Sequence, residues 1–125
     1  EAKITSWINS FCQKEGFTID SLVFAFFNDE DLKCLNIKFL NHDYYTDVIS
    51  FDESNKNLIK GNIAISVDRV KDNSNTFSSL FDDELKRVII HGVLHFMGFN
   101  DKTDDEKSLI RKKEDSALEM FHVKQ

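Results

Sequence analysis

Two histidines, a glycine and an aspartate carry the strongest chemical signal in this chain. His91-Gly-Val-Leu-His95 sets two imidazoles four residues apart, which on a helix puts both on one face within reach of a single metal ion. Gly98 follows three residues after His95, and Asp101 three after that. A glycine there ends the helix with positive φ, and the reversed chain brings the Asp101 carboxylate back beneath the same ion. Three protein ligands, His91, His95 and Asp101, leave a fourth position for water, as in a catalytic rather than a structural zinc site. Taken singly, the same residues have plainer readings: two hydrogen-bonded helix histidines, a glycine that stops the helix and a loop carboxylate. Their joint spacing, H-x-x-x-H-x-x-G-x-x-D, favours the metal.

Zinc peptidases of the H-E-x-x-H kind use the Glu after the first His as general base, and here Gly92 takes that place. With no protein general base identified, the catalytic group is the metal-bound water itself, because zinc lowers the pKa of its water to about 7. Gly92 is then expected to leave room beside the metal.

The scaffold for these residues follows from hydrophobic periodicity. Ile4, Trp7, Ile8, Phe11 and Cys12 form the stripe of a first helix that Gly16 terminates. Leu22 to Phe27 reads as a buried strand, after which Asn28 and Asp29 cap a second helix with Leu32, Leu35 and Phe39 inward. Past the polar loop Asn41 to Asp47, Val48 to Phe51 and Leu58 to Val67 pair as a hairpin, with Gly61 as a bulge. A short helix from Asp68 to Asn73 leads to a long one from Phe81 to Met97, whose Asp82, Asp83 and Glu84 favour the positive end of its dipole. The last helix opens at Thr103 with Glu106 in a capping box and turns Leu109, Ile110, Ala117, Leu118 and Phe121 inward. This order predicts an α+β fold in which a small mixed sheet is covered by helices.

Composition bounds the partners. The chain has 125 residues, enough for one ordinary core, so residues 1–125 are expected to form a single domain. Its longest apolar run, Leu22 to Phe27, is far below the ~20 residues of a membrane span, so no membrane association is expected. Two cysteines, Cys12 and Cys34, lie in helical apolar stripes and read as buried reduced thiols; with no secretory signal at the start, the expected compartment is the cytoplasm. The chain opens on Glu-Ala-Lys without an initiating Met, so further residues are expected upstream. A net charge of −6, from 22 acidic and 16 basic residues, argues against nonspecific nucleic-acid binding. A basic cluster, Lys107, Arg111, Lys112 and Lys113, follows the third ligand and reads either as a phosphate contact or as a solvated helix face.

His91-Gly-Val-Leu-His95-Phe-Met-Gly98-Phe resembles the H-G-x-L-H-x-x-G-[YF]-D-H signature of the YbeY family, metal-dependent endoribonucleases of ribosomal RNA maturation and ribosome quality control. Leu35-Asn36 through Thr46-Asp47-Val48-Ile49-Ser50-Phe51 is similar to the family's L-N…T-[DN]-V-L-S-F block, and Gly61-Asn62-Ile63-Ala64-Ile65-Ser66 to its G-D-I-x-I-S strand. The blocks run in the family's order from Leu35 to Asp101. Two departures stand out. Asp101 replaces the usual third His, a swap to a harder oxygen ligand. Leu40 stands where the family commonly has an Arg that contacts RNA, leaving Lys38 or His42 to replace that contact, or His42 as a plain loop histidine. The resemblance implies a sheet of about four strands, including one ahead of Lys3 that this chain does not contain, and a metal at the mouth of a cleft near Thr46, Asp47 and Ser50. Plain turn and strand roles suit those three residues equally.

The reading that follows is a single-strand-specific, metal-dependent endoribonuclease. One divalent ion per chain, expected to be zinc, would sit on His91, His95 and Asp101, with no organic cofactor. Ribosomal RNA and the ribosome or a ribosomal protein would be its partners, and Lys107 and Arg111 candidate RNA contacts. Two other classes stay open: a non-catalytic metal-binding factor for ribosome assembly, and a metallohydrolase of another substrate.

Overall fold

The computed structural model describes residues 2–123. Eight elements follow one another: α1 (Ala2–Lys14), β1 (Thr18–Phe27), α2 (Asp29–Leu40), β2 (Val48–Asp52), β3 (Leu58–Ser66), α3 (Val67–Thr76), α4 (Phe81–Phe96) and α5 (Asp104–Val123). The α+β expectation holds. β3 is the central strand of a mixed sheet ordered β1-β3-β2, parallel to β1 and antiparallel to β2. Among the described residues this sheet has three strands, not four. The strand implied ahead of Lys3 falls where α1 already begins at Ala2, and anything before that lies outside the described residues.

Alternation along β3 sorts the packing. Ile59, Ile63 and Ile65 face a core completed by Trp7, Phe11, Val70, Ile90, Val93, Leu94, Ile110 and Ala117, so α1, α3, α4 and α5 share one side of the sheet. Ala64 faces the other way and packs with Ile49 and Leu32, which seats α2 alone on the second side. The Trp7 indole N–H donates to the Ala117 carbonyl at 2.6 Å, tying the first helix to the last.

Several local expectations change. β1 begins at Thr18 rather than Leu22, and it is an edge strand: Val23 and Phe26, on opposite faces, are 52% and 54% exposed, so the apolar run is only partly buried on either face. Gly61 is no bulge. It pairs in regular register with Leu22 and Asp52, while the irregularity lies in β1 between Ile19 and Ser21. Gly61 is required for another reason: a Cβ there would fall 2.4 Å from the Phe51 carbonyl oxygen and 2.8 Å from Phe96 Cζ. Cys12 is buried, and burial pushes its thiol pKa up to about 12, whereas Cys34 is exposed. Phe39 and Leu109 also turn outward, since α2 and α5 each bury a narrower stripe than their apolar residues would allow.

Candidate metal centre and its cleft

The long helix α4 presents His91 and His95 to the cleft because its opposite face, with Ile89, Ile90, Val93 and Phe96, packs into the core. Two hydrogen bonds end the helix, from Gly98 N–H to the His95 carbonyl and from Phe99 N–H to the Leu94 carbonyl, each 3.1 Å. Gly98 takes φ +97°, as the reversal requires. The chain then turns back through Asp101 into α5, whose capping box forms as expected: Glu106 N–H donates to Thr103 Oγ1 at 3.1 Å, and Thr103 N–H to Glu106 Oε1 at 3.0 Å.

His91, His95 and Asp101 are thereby brought together as a possible metal-binding group, with ligand atoms all within 4.8 Å of one another. The two Nε2 atoms are 3.1 Å apart, and Asp101 Oδ2 lies 3.2 Å from that of His91 and 3.6 Å from that of His95. Tetrahedral zinc with bonds of about 2.0–2.1 Å needs ligand separations of about 3.3–3.4 Å, and the mean of this triangle falls there. Proton placement points the same way. His95 Nδ1 lies 3.0 Å from the Phe99 carbonyl, which can only accept, so Nδ1 is the N–H and Nε2 the lone pair. His91 Nδ1 likewise donates to Glu114 Oε2 at 2.7 Å. Three acceptors converge with no donor between them, an arrangement that calls for a cation.

The electrostatics agree. Burial lowers the His91 pKa, but the hydrogen bond and charge of Glu114, with Asp47 and Asp101, outweigh it and hold the ring above its ordinary value. Glu114, only 5% exposed, is itself met by Arg87 Nη1 at 3.0 Å, and Arg87 Nη2 continues to Asp115 at 2.8 Å.

A cavity of about 340 Å³ opens beside His91 and Asp101, lined also by Asp47, Asn73, Glu84, Arg87, Lys107, Arg111 and Glu114. Burial raises the pKa of Asp47, opposed by His91, and that of Glu84, opposed by Arg87. Asn73 Nδ2 donates to Asp47 Oδ2 at 3.3 Å.

Of the other residues singled out from sequence, Asp47, Lys107 and Arg111 line this cleft. Thr46 turns its hydroxyl to the Val48 carbonyl at 3.3 Å, and Ser50 donates to the Gly92 carbonyl at 3.2 Å. Both are therefore backbone partners near the cleft, not part of its lining. Gly92 needs correction: the space it leaves is filled by the sheet, since a Cβ would lie 3.0 Å from Ile63 Cδ1 and 3.2 Å from Ser50 Oγ. It lets α4 approach β2 and β3 closely rather than making room at the metal. Lys38 and His42 sit at the far end of α2 and the loop after it, outside the cleft lining. Periodicity did carry a signal for the missed residues: Glu114 lies between Ile110 and Ala117, and Glu84 precedes Val88 and His91, each an acid on an otherwise buried stripe.

Comparison with known proteins places this geometry. The family model described as Endoribonuclease YbeY matches residues 1–122. A Christiangramia forsetii protein is 46% identical over 125 residues, all of this chain and 87% of that protein. A Cytophaga hutchinsonii protein is 48% identical over 120 residues, covering 95% and 84%, and one from Flavobacterium johnsoniae is 43% identical over 125, covering 100% and 90%. All three are named Endoribonuclease YbeY. The solution structure of TM1509 from Thermotoga maritima shares the fold, with a TM-score of 0.66 at 24% identity over 94% of this chain and 78% of that one. With the motif blocks, the fold and nearly the full length in agreement, this chain belongs to the YbeY endoribonuclease family.

Proposed function

We propose that this chain is a metal-dependent endoribonuclease, a single domain that hydrolyses phosphodiesters of single-stranded RNA in ribosomal RNA maturation and ribosome quality control. It works in the cytoplasm, with the ribosome or a ribosomal protein as partner. The observation that carries this reading is the convergence of His91 Nε2, His95 Nε2 and Asp101 Oδ2 at the mouth of a polar cleft.

His91, His95 and Asp101 hold one divalent ion, and two imidazoles with tetrahedral spacing favour zinc. When bound, such an ion supplies Lewis acidity, making a water acidic near neutral pH and offsetting charge on phosphoryl oxygens. The protein does the rest. Glu114 and the Phe99 carbonyl keep protons on the two Nδ1 atoms, so both Nε2 lone pairs stay aimed inward. Lys107 and Arg111, on the cleft wall, attract the RNA phosphates. Asp47, held by Asn73, offers its second oxygen to the substrate.

The test pairs metal analysis with cleavage of a labelled single-stranded RNA. The expected result is about one zinc per chain and endonucleolytic cuts that His95→Ala abolishes. RNA left intact by the zinc-loaded protein, or cut equally by His95→Ala, overturns it. The acidic balance and Leu40 favour one rival, a non-catalytic assembly factor; intact RNA together with cosedimentation of both proteins with ribosomes would select it.

A further inference from the structure

Outside the cleft lining, the C-terminal end of α2 and the loop after it expose aromatic rings that packing does not explain. Phe39 and Tyr44 are 57% and 53% exposed, and His42 is exposed beside them. The loop is nonetheless built. Asn41 closes the helix in the left-handed region at φ 57°, His42 N–H donates to the Asn36 carbonyl at 3.1 Å, and the buried Asn36 amide donates to the Tyr44 carbonyl at 3.0 Å. The turn thus presents the His42 and Tyr44 rings almost parallel, 18° apart in plane with centroids 5.1 Å apart, and the Tyr44 hydroxyl lies 2.8 Å from His42 Nδ1.

Its neighbour behaves differently. Tyr45 gives its hydroxyl to Glu30 and has Lys33 and Arg69 over its ring, so it anchors the loop to the body of the protein. Tyr44 instead sets its ring and hydroxyl against His42 and is 53% exposed. Phe39 stands edge-on to Phe51, with the Lys38 ammonium 5.3 Å from its ring centroid.

The loop runs directly into the cleft, since Asp47 lines it three residues after Tyr44. At about 3.3–3.6 Å per residue, Tyr44 is at most about 11 Å along the chain from that wall, the length of roughly three stacked nucleotides at about 3.4 Å each.

We propose that the stacked His42–Tyr44 pair is a nucleobase-stacking subsite that holds an unpaired base a few nucleotides from a phosphate in the cleft. The inference rests on the endoribonuclease reading and extends it to how the substrate is held. Bases inside a duplex are already stacked and cannot reach such a platform, so the subsite selects single strands. Local charge is sparse: Lys33 pairs with Asp43 at 3.7 Å and Leu40 carries no charge, which leaves Lys38, over the Phe39 ring, as the nearby cation for a phosphate. A preorganised pair of rings adds grip that does not depend on releasing counterions.

The test is fluorescence anisotropy of a fluorescein-labelled 12-nucleotide single-stranded RNA with proteins that all carry His95→Ala to block cleavage, the RNA being shown intact on a gel afterwards. Tyr44→Ala is expected to bind about tenfold more weakly. Tyr44→Leu, which keeps apolar bulk without a ring, should lose as much, and Tyr44→Phe should stay within about twofold of the parent. The slope of log affinity against log salt should not change in Tyr44→Ala, because stacking releases no counterions, whereas Lys38→Ala should reduce it. In turnover with His95 intact, KM should rise by about the same factor with kcat nearly unchanged. Equal affinity of Tyr44→Ala and the parent overturns the proposal. So does full affinity in Tyr44→Leu, or a loss seen only with whole ribosomal particles, which would mark a protein-docking surface. This binding pattern together with RNA left uncut by the protein with His95 intact would refute the cleavage reading while keeping the subsite, so the two failures are distinguishable.

Discussion

Glu114→Gln tests whether the carboxylate behind His91 is part of the metal centre. The substitution keeps size and shape but removes the charge that accepts the His91 Nδ1 proton at 2.7 Å. Loss of an outer-shell partner of this kind lowers metal affinity by about 10–100-fold, or about 1.4–2.7 kcal/mol. A charge-assisted hydrogen bond, worth about 1.5–3 kcal/mol, gives the same range independently. A larger effect is not expected, because Arg87 keeps Asp115 at 2.8 Å and its guanidinium is not orphaned when Glu114 loses its charge. The assay is zinc competition against a chelator of known affinity at neutral pH, with thermal melting of the metal-free proteins as a control on the fold. A zinc affinity within twofold of the parent would refute the reasoning and reduce Glu114 to an ion-pair partner of Arg87.

Three further outcomes are expected. Asp101→Ala should lose more zinc affinity than any outer-shell change, beyond about 100-fold, while Asp101→His, which restores the family's usual ligand, should retain about one zinc per chain; metal analysis after gel filtration decides. Gly61→Ala should cost about 3 kcal/mol or more, because the new Cβ meets the Phe51 carbonyl and the Phe96 ring at 2.4 and 2.8 Å, and an unchanged urea midpoint would contradict this. Burial holds the Glu84 carboxyl above its ordinary value of 4.5, so the native state binds that proton more tightly than the unfolded chain does. Its contribution is fully present below about pH 4.5 and is lost as pH rises through the native pKa; Glu84→Gln should therefore match the parent near pH 4 and exceed it at pH 7 in urea melts, and a pH-independent difference would refute the assignment.

The elements and the three converging side chains were legible because each follows a local rule. Heptad-like stripes mark α1 and α4, Gly98 marks the reversal, and Thr103 with Glu106 marks the start of α5. What was not legible depends on partners distant in sequence. Nothing around Gly61 says that the Phe96 ring will lie on it, 35 positions away. Nothing around Gly92 shows that its missing Cβ faces Ile63 and Ser50 rather than the metal. The run Leu22 to Phe27 looks buried on both faces because strand composition does not reveal which strand of a sheet is its edge.

The acidic residues repay the closest comparison. Glu84, Val88, His91 and His95 fall at intervals of four, three and four, as do Ile110, Glu114, Ala117 and Phe121. An acid at a stripe position must either cost the fold heavily or meet a compensating group. Glu114 meets His91 and Arg87, while Glu84 stays 7% exposed at the cleft with its pKa raised. The net charge of −6 is therefore unevenly distributed. Glu114 and Asp101 belong to the His91 cluster, where a bound divalent cation would offset them, and Asp29 is paired with Arg69 at 2.9 Å. With these acids committed to partners, a single strand held as proposed would meet exposed rings at the α2 end and cations at Lys38, Lys107 and Arg111.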